Sequence, residues 1–373
     1  NVPIKADDVS CIVQWAKKNQ PTLVLVGPET PLAAGLVNRL VKNGFFVFGP
    51  TKEAAKIESS KVFAKHFMKK YGIPTAEFKT FTSYQKAKQY IQSVPFDVVV
   101  KASGLAGGKG VIVPIDKNEA LVALDRMMNK REFGAAGDEV VIEELMSGEE
   151  VSLMAFTDGV TIRPMITAQD HKRIFDRDLG PNTGGMGAYG PVPFVTSAMI
   201  KKITKSILQP TINGLRKDGK PFVGVLYAGL MMTPQGPKVV EFNCRFGDPE
   251  IEVVLPLLRT DLVRIARACV LKRLARLRIS WEKGFAVSVV LASKGYPENP
   301  QTGQTIQGCM DAEKISGVTV YHAGTKYIDG ICTTSGGRVL AVTGVGATLL
   351  SAHKIAYAAS KKISFSGMQY RTD

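Results

Sequence analysis

The sequence predicts an α/β chain with α+β parts, on three observations. A β-α-β unit opens it, strand and helix signals alternate through its middle, and beyond Asp261 the pattern changes to a smaller unit of strands closed by a helix. In the opening unit, residues 22–26 form a short apolar run that ends in Gly27-Pro28-Glu29, residues 32–41 carry helical apolar spacing, and 45–48 start a second strand. Open parallel sheets bind ligands at the carboxyl ends of their strands, so Glu29 is a candidate substrate contact, although a solvated turn carboxylate fits the same spacing. Thr51 caps a helix with Glu53 behind it. Residues 60–71 form a second amphipathic helix that stops at Gly72 and Pro74 and carries Lys61 and Lys65 on one face. Strands are expected over 139–145 and 150–156, and the stretch 169–189 reads as too polar and glycine-rich for a buried element. A helix over 199–215, paired strands over 227–232 and 238–242, strands over 286–291, 318–321 and 339–342, and a helix over 349–362 complete the pattern.

A chain of 373 residues that is 45% hydrophobic can bury several cores, and its length points to two or three domains. No apolar run reaches the ~18 residues of a membrane span, and the first residues lack the apolar core of a signal peptide, so a soluble cytosolic protein is expected. The cysteines (Cys11, Cys244, Cys269, Cys309, Cys332) are odd in number, scattered, and without a C-x-x-C pair, which argues against a disulfide framework or a zinc site. The net charge of +15 attracts anions, whether nucleic acid, acidic lipid or phosphorylated metabolites. Its distribution favours the last. Basic residues are dispersed, the densest clusters (Lys69-Lys70, Lys201-Lys202, Lys361-Lys362) are pairs at helical positions, and no basic stripe is interleaved with aromatics as nucleic-acid binding would need.

Four stretches could carry chemistry. In Phe96-Asp-Val-Val-Val-Lys-Ala-Ser-Gly-Leu-Ala-Gly-Gly-Lys-Gly-Val-Ile-Val, two β-branched runs flank a glycine-rich loop, with Lys101 and Lys109 at its ends. That is the layout of a phosphate-covering flap, because glycines admit backbone N–H groups to phosphate oxygens and the lysines add charge. It is not a P-loop, since Ser103 stands where the first glycine should, Gly110 follows the lysine, and a strand follows the loop. On its own it would equally describe a glycine hairpin without a ligand. In Val239-Val-Glu-Phe-Asn-Cys-Arg-Phe-Gly-Asp-Pro-Glu, residues two apart on a strand share a face, so Glu241 and Asn243 offer two oxygens in one direction and Arg245 follows them. Such a pair suits hard Mg²⁺, and Arg245 could grip an anion; a polar strand end is the plainer alternative. Gln169-Asp-His-Lys-Arg, followed by Gly180-Pro-Asn-Thr-Gly-Gly-Met-Gly-Ala-Tyr, is long for an idle loop, and its Asp170, His171 and Lys172 could orient an amine and a phosphate. Val140-Val-Ile-Glu-Glu-Leu ends a strand in paired carboxylates, with Glu150 opening the next, a site for an adenine edge and ribose hydroxyls or merely for solvated charge. Nothing in the sequence fits nucleophilic catalysis: G-x-S-x-G and H-E-x-x-H are both missing.

The order of lysine helix, strand lysine, glycine flap, Glu-Glu-Leu and Glu-x-Asn resembles an ATP-grasp domain. Val26-Gly-Pro-Glu, Ser60-Lys-Val-Phe-Ala-Lys, the flap, Gln169-Asp-His-Lys-Arg, Pro181-Asn-Thr-Gly-Gly-Met-Gly-Ala-Tyr, Glu241-Phe-Asn-Cys-Arg-Phe-Gly-Asp-Pro-Glu, His322-Ala-Gly-Thr and Gly336-Gly-Arg-Val-Leu resemble the phosphoribosylamine-glycine ligase family over nearly the whole chain. The resemblance implies an ATP-grasp core flanked by a truncated N-terminal parallel α/β domain and a small C-terminal domain, with divisions at 1–58, 59–260 (flap lobe about 76–150) and 261–373. It implies ligation of glycine to 5-phosphoribosylamine in purine synthesis, through a glycyl phosphate made at the expense of ATP. Carried over by motif, Lys65, Lys101 and Lys109 would serve the ATP phosphates, Glu143, Glu144 and Leu145 the adenine, Glu150 the ribose, and Asn182 the nucleotide side. Glu241 and Asn243 would hold Mg²⁺ or Mn²⁺. Glu29, Asp170, His171, Lys172, Thr183, Gly184, Gly185 and Arg245 would bind ribosylamine and glycine, with Arg245 and Lys172 acting on the reacting groups. In animals the family is fused to later purine enzymes, and Tyr370-Arg-Thr-Asp resembles the boundary of that first unit. Two departures stand out. The family's first strand and Gly-Gly-Arg-Glu-His loop are missing, so this chain is expected to bind ATP but ligate poorly, and Glu252 stands where glutamine is expected. Another ATP-grasp carboxylate-amine ligase is the nearest alternative reading.

Overall fold

Apolar strands Val24–Leu25 and Val47–Phe48 pair in parallel, joined by helices Glu29–Ala34 and Leu36–Lys42, as the opening β-α-β pattern requires. The computed structural model describes residues 2–107 and 109–373, so Asn1 and Gly108, the latter within the flap motif, lie outside them. The chain divides into two units. The first comprises Asn1–Met165, Thr196–Phe246 and Asp261–Ile279, and the second Ile166–Val195, Gly247–Thr260 and Ser280–Asp373.

Two antiparallel four-stranded sheets build most of the first unit. One runs Phe78–Phe81, Val140–Glu144, Val98–Ala102, Val111–Ile112 in spatial order. Helices Tyr84–Ser93 and Lys117–Met128 cover it, burying Ile91, Leu124 and Met127 against Val98, Val100, Val140 and Ile142. The other runs Gly236–Asn243, Val223–Thr233, Glu149–Asp158, Ile162–Pro164 and shares a core with the helices Lys52–Ser59 and Lys61–Tyr71. Both helices begin as their sequences ask, Thr51 Oγ1 accepting from Ala54 N and Ser60 Oγ from Phe63 N. The helix expected over 199–215 extends from Ser197 to Lys217 but passes through a π-helical turn, Thr204–Leu208. Pro210 lies two residues beyond, and because it has no N–H to give the preceding turn, the looser winding falls where the regular ladder is broken.

The second unit is a five-stranded sheet in the order Val318–His322, Arg338–Gly346, Phe285–Ala292, Gly187–Gly190, Gln169–Asp170. Helix Leu349–Ser360, closed by a reciprocal Thr348/Ser351 cap, contributes Ala352, Ala356 and Ala359 to its core. The stretch 169–189 is only partly the polar loop its composition suggests. Gly187–Gly190 pairs with Phe285–Ala292 on one side and Gln169–Asp170 on the other, and Met186, Gly187 and Ala188 are buried. The glycine there serves close packing, since a Cβ on Gly187 would lie 2.6 Å from the Ser288 carbonyl oxygen. Among the described residues no helix is long and apolar enough to cross a membrane.

Candidate active site

The flap forms the expected hairpin: Val100 pairs with Ile112 and Lys101 with Val111. Its loop leaves closely, for a Cβ on Gly104 would lie 2.8 Å from the Cα of Ala136, and Lys109 is exposed near its far end. Lys101 points from the middle of the flap sheet into the unit's interior and is 3% exposed, as is Lys65 on the helix Lys61–Tyr71. Both ammonium groups touch the carboxylate of Glu143, which sits on the neighbouring strand Val140–Glu144. Lys65 Nζ also donates to Thr75 Oγ1 at 2.7 Å, and that hydroxyl donates to the Val239 carbonyl at 2.7 Å.

Two buried cations thus share one carboxylate. Burial pushes Lys65 down to about 8, against the pull of Glu143 and with the push of Lys101. Burial would raise Glu143, but Lys101 and then Lys65 outweigh it and hold the carboxylate below its ordinary value. The set keeps an excess of positive charge in a water-poor site, which is what an incoming phosphate chain would neutralise.

The strand Gly236–Asn243 reaches this set through a bulge. Gly229 pairs with Glu241 but Leu230 with Val239, so Val240 is the extra residue. Val239 and Phe242 therefore both enter the core, and Lys101 Nζ donates to the Val240 carbonyl at 3.3 Å. Past the bulge the alternation resumes, and Asn243 Nδ2 lies 3.5 Å from Glu241 Oε1. Oxygen donors side by side fit a hard cation. Among the described residues no cluster of three or more His, Cys, Asp or Glu could cage a metal.

Arg245 Nε donates to Glu29 Oε2 at 3.2 Å and lies 3.4 Å from Glu58 Oε1. Glu58 also accepts from Cys244 N at 2.7 Å, and burial, opposed by Arg245, pushes it up to about 7. Glu29 thus meets Arg245 across a wide sequence gap. Glu58 and Thr75 were not singled out by sequence reading. Spacing could have found Glu58, which lies four after Ala54 and three after Ala55 on the buried face of its helix; Thr75 carries no comparable signal. Lys61 is also drawn in, its ammonium 3.5 Å from the Gly104 carbonyl, with burial lowering it against the attraction of Glu241.

Glu144 and Leu145 spend their N–H groups on the carbonyls of Glu77 and Asp97, at 2.9 and 2.8 Å. Glu150 stands on the strand Glu149–Asp158 opposite Met231. The remaining predicted residues belong to the second unit. His171 N donates to the Gly187 carbonyl at 2.9 Å and Met186 N to the His171 carbonyl at 2.7 Å, which fixes Asp170, His171 and Lys172 along the sheet edge. Thr183 N and Oγ1 both donate to the Lys172 carbonyl, at 2.7 and 2.8 Å, and Gly185 N donates to Thr183 Oγ1 at 3.0 Å. Arg338, from the Gly336-Gly-Arg motif, donates to the carbonyls of Gly184 and Asp248 at 2.8 and 2.9 Å. Asn182 is exposed, and its backbone pairs with Arg173. Glu252 is the odd member, with Oε2 buried and unpartnered; burial, then Asp248, pushes its carboxyl up to about 8.

Comparison with known proteins adds to this geometry. Residues 59–251 match the ATP-grasp (A) domain of phosphoribosylglycinamide synthetase, 286–373 its C domain and 1–58 its N domain. A phosphoribosylamine–glycine ligase of Halalkalibacterium halodurans is 48% identical over 372 residues, covering 100% of this chain and 86% of that protein. The bifunctional purine biosynthetic protein purD of Dictyostelium discoideum is 48% identical, and the trifunctional purine biosynthetic protein adenosine-3 of Gallus gallus 50% identical, over 98% and 100% of this chain. The chain spans 48% of the first fused relative's length and 37% of the second's. Among solved structures, the Thermotoga maritima phosphoribosylamine–glycine ligase superposes with a TM-score of 0.86 at 35% identity, covering 100% of this chain and 89% of that one. The biotin carboxylase domain of Hydrogenobacter thermophilus 2-oxoglutarate carboxylase, solved with MgADP and bicarbonate, reaches 0.75 at 15% identity over 99% and 81%, a likeness of fold.

Proposed function

The chain belongs to the phosphoribosylglycinamide synthetase family, and from that membership we propose that it ligates glycine to 5-phosphoribosylamine at the expense of ATP, giving glycinamide ribonucleotide, ADP and phosphate in purine synthesis. The observation that carries this reading is the buried Lys65–Glu143–Lys101 set tied to the Glu241–Asn243 strand through the Val240 carbonyl. Fixed cations beside paired oxygen donors suit phosphoryl transfer, where positioning and charge neutralisation matter more than a protein nucleophile.

In this reading glycine's carboxylate attacks the γ-phosphate, ADP leaves, and the ribosylamine nitrogen then attacks the acyl phosphate and expels phosphate. Lys65 and Lys101 hold the phosphates, with Lys109 closing from the flap. Glu144 and Leu145 serve the adenine and Glu150 the ribose, while Glu143, carried over by motif to the adenine, instead ties Lys65 to Lys101; Asn182 serves the nucleotide side, and Glu241 with Asn243 hold Mg²⁺. The ion, when bound, screens the charge of the transferring group. Glu29, Arg245, Asp170, His171, Lys172, Thr183, Gly184 and Gly185 bind and orient the two acceptor substrates, with Arg245 and Lys172 against the reacting groups. Glu58 holds Arg245 from behind. Free cysteines throughout fit a cytosolic setting.

The test is ADP release by this chain, which should require glycine and 5-phosphoribosylamine together. Release that proceeds equally with other acid and amine pairs would transfer the assignment to a different carboxylate-amine ligase. Glu241→Ala should cut turnover about a hundredfold or more while leaving the melting temperature near that of the parent chain. Undiminished turnover would remove the metal assignment.

A further inference from the structure

The hairpin that follows His171 and Lys172, Arg173–Phe175 paired with Leu179–Asn182, turns through two consecutive non-glycine residues in the left-handed region, Arg177 (φ 59°) and Asp178 (φ 52°). L-residues rarely adopt that conformation, so the turn needs bonds from elsewhere to persist. They come from a segment distant in sequence. Arg371, 5% exposed, donates through Nη1 to Asp178 Oδ1 at 2.6 Å and to the Arg173 carbonyl at 3.3 Å. Its Nε and Nη2 donate to the two oxygens of Asp373, at 2.8 and 2.7 Å, and Asp373 Oδ2 accepts from Arg177 N at 2.8 Å. Thr372 N donates to Asp176 Oδ1 at 2.7 Å and its hydroxyl meets the other oxygen of the same carboxylate. Tyr357 OH, from the helix Leu349–Ser360, donates to the Arg371 carbonyl at 2.8 Å and fixes the segment to the core of the unit.

All three turn residues, Asp176 to Asp178, are therefore held by Arg371, Thr372 and Asp373, and the planar guanidinium spans turn and segment at once. The hairpin's other end carries the groups assigned to substrate. Thr183 is bonded to the Lys172 carbonyl just past the Arg173–Asn182 pair, and Arg371's charge, after burial, is what lowers His171.

We infer that Arg371 is a positioning residue of the acceptor-binding loop: with Asp373 it latches the Asp176–Asp178 turn and so sets the placement of His171, Lys172 and Thr183. The inference rests on the reading of that loop as substrate-binding, but the latch itself can be tested apart from it. A residue that only stabilised the fold would affect the whole unit; a latch affects one hairpin.

The experiment compares hydrogen exchange and steady-state kinetics of the full chain carrying Arg371→Ala, with Asp178→Asn as the milder variant should the first fail to fold. Exchange over residues 171–183 should accelerate about tenfold or more while the strand Phe285–Ala292 stays protected, and KM for glycine or 5-phosphoribosylamine should rise about tenfold with KM for ATP nearly constant. Arg371→Lys should not restore the parent values, because an ammonium cannot bridge Asp178 and Asp373 as the fork does. Unchanged exchange over 171–183, equal acceleration across the unit, or an equal rise in KM for ATP would overturn the latch. If the parent chain shows no glycine-dependent turnover, the functional reading falls, and the exchange measurement decides the latch alone.

Discussion

Lys65 shows how far a single environment can move a group. Its ordinary value near 10.5 falls to about 8 because water is excluded, against the pull of Glu143, and because a second ammonium shares that carboxylate. In the proposed function the charged form is the one that meets phosphate, and that form is lost as pH rises through about 8. ATP affinity, followed by calorimetry, should fall between pH 7 and 9, and Lys65→Arg, which stays charged, should flatten that dependence. Glu252 works in the opposite direction. Its carboxyl ionises near 4.5 in the unfolded chain and near 8 in the folded one. Between those values the unfolded state has already released the proton that the folded state retains, so stability declines as pH rises across the interval and the deficit is complete above about 8. Below 4.5 both states are protonated and the deficit vanishes. Glu252→Gln should accordingly raise the melting temperature at pH 8.5 and change it little at pH 4.

At the scale of elements, what could be read beforehand followed from how local the cause was. The flap hairpin, the helix Lys61–Tyr71 and the strand Gly236–Asn243 carry their own turn, cap and alternation signals, and each stands where those signals put it. The bulge at Val240 does not. It depends on the partner strand's register, and strict alternation alone would have placed Glu241 on the same side as Val239, in the core. Gly187–Gly190 was hidden for another reason. Glycine and polar composition signals a loop, whereas here the absent side chains let a strand sit tightly between two others. The close contact predicts a cost: Gly187→Ala, with its Cβ forced against the Ser288 carbonyl, should lower the unfolding free energy by about 2 kcal/mol or more, measured by urea denaturation. Thr75 meets Lys65, and Glu58 meets Arg245, only through tertiary packing; the helical spacing marks Glu58 as buried but not which partner it finds.

For the whole molecule, the charge of +15 is spread widely, and only a few of those cations are buried beside the candidate site. The rest act as a field. Raising salt from about 0.05 to 0.5 M should slow ATP association several-fold, by stopped-flow, with a smaller effect on dissociation, because screening weakens long-range attraction more than buried contacts. The division into two units has a different bearing. Each is assembled from three separate stretches of chain, so the chain passes repeatedly from one to the other before either is finished. During synthesis the flap lobe, contiguous in sequence, can close as soon as Val140–Glu144 has emerged from the ribosome. Gly187–Gly190 cannot: its central partner, Phe285–Ala292, is made much later, and until then a glycine-rich segment bearing His171 and Lys172 waits without its sheet. The nascent chain thus sets Lys101 beside Glu143 early, whereas the helix that carries Lys65 waits for the strand Gly236–Asn243 with which it shares a core, and any factor that shelters the chain on the ribosome has its longest task between the closing of the flap lobe and the arrival of Phe285–Ala292.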